Sequence, residues 1–124
     1  MLRVLLVGFG GAIGSIARYG IAGVLLPWTQ TGFPWGTLVV NVTGSLLIGM
    51  VIAAAVDRQW LSPDLRVALA AGLCGGFTTM SSFSFEMLAL LEQGAGGLAL
   101  GYAAATMALC LVATWAGITL IRLM

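Results

Sequence analysis

The polar side chains able to do chemistry in this 124-residue chain are few, and they share one character. Asn41 offers amide hydrogens; Thr37, Thr78, Thr79, Ser81, Ser82, Thr106 and Thr114 offer hydroxyls; Tyr102 adds a phenol and Cys110 a thiol. All can donate a hydrogen bond. Arg18 adds a cation, and Phe83 the positive edge of an aromatic ring. Donors, a cation and ring edges are what a small anion is recognised by. The chain has no His and no Lys, so the commonest side chain for metal binding and proton transfer near neutral pH is missing. No nucleophile–base constellation and no Cys–His zinc spacing can be drawn, so the inventory is not that of an enzyme. Nor does a net charge of +1 supply a basic patch for nucleic acid.

These donors concentrate in the stretch from Gly72 to Phe85, which lies inside a long apolar segment. Gly75 and Gly76 lower helix propensity there, and the hydroxyls compete with the helical ladder for backbone partners. An interruption at bilayer depth must be buried in protein or line a polar cavity. It then presents carbonyls at one half-helix end and N–H groups at the other. The alternative is an unbroken helix whose small residues serve close packing.

The elements that must position these groups follow from composition. Hydrophobic residues are 60% of the chain and charged residues 7%, against roughly 25% charged in a soluble domain. No charge occurs from Tyr19 to Val56, from Val67 to Phe85, or from Gln93 to Ile121. Because a spanning helix needs about 20 largely apolar residues, the chain reads as one all-α domain of four transmembrane segments, covering residues 1–124. They run from about Leu2 to Leu26, Gly36 to Val56, Asp64 to Glu92 and Leu98 to Arg122. Pro27–Trp35 reads as a loop, with Trp28 and Trp35 at headgroup level. Ser62 or Asp64 is placed to cap the third segment. Cys74 and Cys110 read as buried free thiols, with a disulfide the alternative.

Spacing puts several donors on shared faces. Thr37, Asn41 and Ser45 recur every four residues on the second segment; Tyr102, Thr106, Cys110 and Thr114 do so on the fourth. Either face can simply bond other helices or its own carbonyls, an interhelical bond of this kind averaging about 0.6 kcal/mol. The functional alternative is a polar track. Arg18, near the far end of the first segment, either snorkels to the interface or faces a functional cavity. Gly10 and Gly14 form a small-residue face; the surrounding glycines lack the strand–turn–helix context of a dinucleotide loop. Glu86, shallow in its segment, reads as interfacial and is given no role.

Gly10-Gly11-x-x-Gly14-x-x-x-Arg18-Tyr19, Gly36-Thr37-Leu38-Val39-Val40-Asn41 and Gly75-Gly76-x-Thr78-Thr79-x-Ser81-x-Phe83 occur in this order over most of the chain. Together they resemble the Fluc (CrcB) family of fluoride channels. The resemblance implies a passive, fluoride-selective channel of the cell (inner) membrane that lowers cytoplasmic fluoride. It implies an antiparallel, dual-topology homodimer with two pores and a broken third helix. It also implies a structural Na⁺ at the dimer centre, held by backbone carbonyls at Gly75 and Thr78. Asn41, Phe83, the fourth-helix track and Arg18, toward a pore vestibule, take the places of the family's permeation residues.

The chain departs from that pattern at two positions. Met80 stands where the family has the first of two phenylalanines, and a thioether has no electropositive ring edge. Cys110 stands where a hydroxyl is often found, and a thiol is the weaker donor. Arg3, Arg58, Arg66 and Arg122 all fall on one side of a four-span topology, which favours termini in the cytoplasm, whereas dual topology calls for little bias. Two other functions compete. A small proton-coupled exporter of the four-helix drug-resistance type needs a carboxylate in its first segment, which has none. A non-transporting membrane subunit would use Gly and Ser only for packing.

Overall fold

The computed structural model describes residues 1–29 and 32–124, with the side chains of all but residues 26–29. Among the described residues, four helical segments are long and apolar enough to cross a membrane. The first is α1 (Leu2–Thr29) and the second α2 (Trp35–Val56). The third is assembled from α3 (Pro63–Val67), a π-helical stretch (Ala68–Cys74), the single turn α4 (Gly75–Phe77) and α5 (Met80–Glu92). The fourth is α6 (Gly96–Leu123).

One boundary differs from the sequence expectation. α1 continues past Leu26 to Thr29, through residues assigned above to the loop. A proline in the last turn of a helix removes one ladder bond without preventing the turn from closing. Trp28's side chain, and loop positions Gln30 and Thr31, lie outside the described residues.

α2 occupies the centre. It packs along α6 and also touches α1 and the third segment, while α1 lies against the π-helical stretch and α4. Backbone meets backbone at both packing lines. A Cβ added at Gly10 would lie 2.6 Å from the Ala68 carbonyl oxygen, and one at Gly14 would lie 2.8 Å from the Phe77 amide nitrogen. Gly49 and Gly117 face backbone atoms reciprocally across α2 and α6. In lipid, where burial of hydrocarbon gives helices no net attraction, such close approach is a main source of cohesion. The outward faces of α1 and α6 stay apolar, with Phe9, Ile16, Leu111 and Trp115 exposed, as a helix surrounded by lipid requires.

Side chains fill two cores. Leu38, Leu90, Ala99 and Tyr102 form one, and Ala53, Ala54 and Ile121 the other. Segment ends are closed by specific bonds. Ser62 Oγ accepts the Leu65 N–H at 3.2 Å, capping α3. At the end of α5, Gly94 (φ 74°) turns the chain so that its N–H reaches the Leu91 carbonyl and the Ala95 N–H reaches that of Leu90, a Schellman closure. Arg58 donates from Nε to the Ile121 carbonyl at 3.2 Å and from Nη2 to that of Arg122 at 2.5 Å, capping α6. Arg122 pairs with Asp57, and Arg3 with Asp64. The two termini and the α2–α3 loop therefore meet at one end of the bundle. Both thiols are free, which excludes the disulfide alternative.

The Gly10 contact generates a test. Gly10→Ala forces a methyl group against a carbonyl that cannot yield, an overpacking cost of about 1–3 kcal/mol. It should lower the thermal unfolding temperature in detergent, whereas Gly8→Ala, with nothing within 4 Å of its Cβ, should not.

Candidate functional site

The site is built around two residues that are not helical. Thr78 (φ −76°, ψ 158°) and Thr79 (φ −147°, ψ 111°) are extended between α4 and α5. Their backbone groups leave the helical ladder and need other partners. Asn41, buried on α2, supplies two. Its Oδ1 accepts the Thr79 N–H at 2.8 Å, and its Nδ2 donates to the Thr79 carbonyl at 3.1 Å. Thr79 in turn caps α5: its Oγ1 accepts the Ser82 N–H at 3.2 Å and donates to Ser82 Oγ at 3.0 Å, with Ser81 Oγ also at 3.2 Å. Ser81 and Ser82 are thus part of the cap.

This rearrangement releases particular carbonyls. The helical partner of the Gly75 carbonyl would be the Thr79 N–H, which is held by Asn41. The corresponding partner of the Thr78 carbonyl would be the Ser82 N–H, which is held by Thr79 Oγ1. Between them, the Gly76 carbonyl receives Ser15 Oγ at 3.3 Å from α1; just before them, the Cys74 carbonyl receives both the N–H and the hydroxyl of Thr78.

A groove of about 390 Å³ lies against this interruption. Asn41, Gly75, Thr78, Met80, Thr106 and Cys110 all line it. Thr106 is 7% exposed, and its hydroxyl oxygen has no hydrogen-bond partner among the described residues. A buried hydroxyl left so is costly, and this one borders a cavity beside the Asn41 amide. The groove therefore offers hydrogen-bond donors to a small acceptor.

A second cluster sits one helical turn away, about 5.4 Å along each axis. Thr37, one turn before Asn41, donates to Glu86 Oε1 at 2.7 Å. Tyr102, one turn before Thr106 and fully buried, donates to Glu86 Oε2 at 2.7 Å. Phe83 lies against Tyr102 with ring centroids 5.0 Å apart, and it packs into the core rather than lining the groove. Thr37 and Glu86 also border a second groove of about 420 Å³. The polar groups thus form a column from Glu86, Thr37 and Tyr102 to Asn41, Thr106 and Cys110. Thr114, the last member on α6, gives its hydroxyl to the Cys110 carbonyl at 3.0 Å. Arg18 is half-buried on α1 and lines neither groove.

Glu86 is the residue that sequence reasoning passed over. It is half-buried and holds α2, α5 and α6 together, a part that its reading as an interfacial side chain without a role did not give it. The signal was present: an acid within a spanning segment marks a functional position by default.

Comparison with known proteins now places this arrangement. The family model described as "CrcB-like protein, Camphor Resistance (CrcB)" matches residues 5–118, which include every site residue placed above. The chain belongs to the CrcB family. CrcB relatives align with it from end to end. A protein of Rhizobium meliloti (strain 1021) is 45% identical over 124 residues, 100% of this chain and 99% of its own. One from Geobacter sulfurreducens is 46% identical over 122 residues, 98% of each chain. One from Anaeromyxobacter sp. (strain K) is 49% identical over 122 residues, 98% of this chain and 97% of its own. All three are named fluoride-specific ion channel FluC.

The Asn41 geometry makes a prediction about stability. Asn41→Ala orphans a buried N–H and a buried carbonyl, at roughly 1–3 kcal/mol each. Asn41→Asp keeps the acceptor but sets a carboxylate oxygen against the Thr79 carbonyl. Both should lower thermal stability in detergent, and hydrogen exchange at the Thr79 amide should accelerate in Asn41→Ala.

Proposed function

We propose that this chain is a fluoride-selective passive channel of the cell (inner) membrane. It lets fluoride leave the cytoplasm down its gradient and so lowers its toxicity. The observation that carries this reading is the buried Thr106 hydroxyl beside the Asn41 amide in a groove, without a hydrogen-bond partner among the described residues. The names of the full-length relatives supply the ion. Fluoride is small and strongly hydrated, so a pathway must replace its water with close donors. Asn41, Thr106 and Cys110 provide such donors at the groove; Thr37 and Tyr102, whose hydroxyl hydrogens go to Glu86, continue the column, with the Phe83 ring edge beside Tyr102 and Met80 at the groove. Ser81 and Ser82 shape the interruption, Thr114 continues the α6 track, and Arg18 acts as a cation that raises local anion concentration. A narrow, donor-lined path disfavours chloride.

The pathway is completed by an identical subunit in this reading. The groove is open on one side, and a Cβ added at Gly75 would meet only the Ala70 carbonyl oxygen, at 3.8 Å. An antiparallel homodimer would close two such grooves into two pores. The carbonyls of Gly75 and Thr78, whose helical amides are engaged elsewhere, fit a dehydrated Na⁺ at the dimer centre, since hard cations take oxygen ligands at helix interruptions. The ion would compensate carbonyl dipoles and join the subunits. A second reading, a proton-coupled exporter, would have to use the half-buried Glu86 of the third segment in place of the first-segment carboxylate that the drug-resistance type needs.

Purified protein in liposomes, followed with a fluoride electrode, separates these readings. Fast downhill fluoride release without a proton gradient is expected; release only under a proton gradient would establish the exporter, and no release would leave a packing subunit. Thr106→Val should slow release about tenfold to 100-fold, the scale of one hydrogen bond to a charge. Met80→Phe should preserve or raise it without admitting chloride. For the cation, Thr78→Ser should leave central crystallographic density intact and Gly75→Val should disturb it, because a β-branched residue restricts the backbone.

A further inference from the structure

The groove beside the interruption carries more sulfur than an anion path uses. Cys74 from the π-helical stretch, Met80 from the first turn of α5, and Met107 and Cys110 from α6 all line it. Met107 and Cys110, three residues apart, share one face of α6. Cys74 is buried at 3% exposure and Cys110 is half-buried, while Met80 and Met107 are 70% and 62% exposed at the rim. Neither thiol is in a disulfide. Two thiols are thus within the cavity wall and two flexible thioethers are at its mouth. Among the described residues no three His, Cys, Asp or Glu side chains converge, so the set does not suit zinc or a hard divalent ion. Thiolate and thioether sulfur select soft monovalent cations of the Cu(I) and Ag(I) type, and methionine's three rotatable bonds let it adapt to an ion in an irregular space.

We propose that this groove binds one soft, thiophilic monovalent cation per chain through Cys74 and Cys110, with Met80 and Met107 as adaptable further ligands, and that the bound ion obstructs the groove. Binding forms metal–sulfur bonds; each thiol that ligates releases its proton to solvent, and nothing is oxidised or reduced. Binding itself does not depend on the fluoride reading, although obstruction of fluoride flux does. The Gly75 and Thr78 carbonyls suit a hard cation, so the two proposed ions differ in ligand chemistry within one groove.

The probe is Ag⁺ as the nitrate, in chloride-free buffer, titrated calorimetrically into the purified full-length protein. One Ag⁺ per chain is expected. Cys74→Ser/Cys110→Ser should weaken binding by about 100-fold or more, the upper range for disturbing a metal site. Met80→Leu and Met107→Leu should each weaken it less. Cys110→Ala alone, checked by size-exclusion profile, serves if the double variant does not fold. In liposomes, Ag⁺ should stop fluoride release by the wild type, and excess dithiothreitol should restore it. No Ag⁺ binding by the wild type, or unchanged binding in folded Cys110→Ala, overturns the site. Binding that leaves active fluoride release untouched overturns the obstruction. Protein that binds Ag⁺ but never releases fluoride keeps the metal site and removes the channel reading.

Discussion

An extended peptide inside an apolar span can persist only if something other than water satisfies it. Here that constraint falls on Thr79, and a single side chain meets it. Asn41 presents an acceptor and a donor in one plane, matching the N–H and the carbonyl of one residue. A hydroxyl has its donor and acceptor on one atom rather than on two, and a carboxylate would repel the carbonyl. The amide is the side chain suited to both. Because Thr79 is held in this way, its hydroxyl is free to cap α5, and the helix restarts at Met80.

The other features of the site follow from that fixed point. With the Thr79 and Ser82 amides engaged, carbonyls at Gly75 and Thr78 lose their helical partners. With α5 restarted at Met80, Glu86 comes within reach of both Thr37 and Tyr102. The carboxylate accepts two short hydrogen bonds, of the stronger charge-assisted kind, and links helices that are otherwise joined by apolar contact. α2 and α6 then act as two rails, each carrying polar groups at one-turn intervals, with the third segment laid across them.

Part of this could be read before any coordinates. The alternation of charged punctuation and apolar runs yields four segments whose ends match closely, and residue type alone marks Gly72–Phe85 as a poor helix. Four-residue spacing groups Thr37 with Asn41, and Tyr102 with Thr106. What spacing along one helix does not carry is which neighbour lies opposite. Spacing therefore leaves Asn41 open between packing and a path, and does not show that Thr79 lies against it. Glu86 looked interfacial because nothing near it in sequence shows that Thr37 and Tyr102 converge on it. The π-helical stretch left no trace, since Ala68–Cys74 contains ordinary helix formers. Proline and glycine punctuation predicts a stop at Pro27, and α1 runs past it to Thr29.

The glycine-to-backbone contacts between α1 and the third segment have a mechanical consequence. Side chains absorb strain by changing rotamer, but Gly10, Gly14, Gly72 and Gly76 meet backbone with nothing between. That joint has no soft layer. α1, the π-helical stretch and α4 must therefore shift together, like a single casting. What freedom the third segment has is left to Thr78 and Thr79, where α5 is held to α2 by the Asn41 amide and, midway along its length, by Glu86.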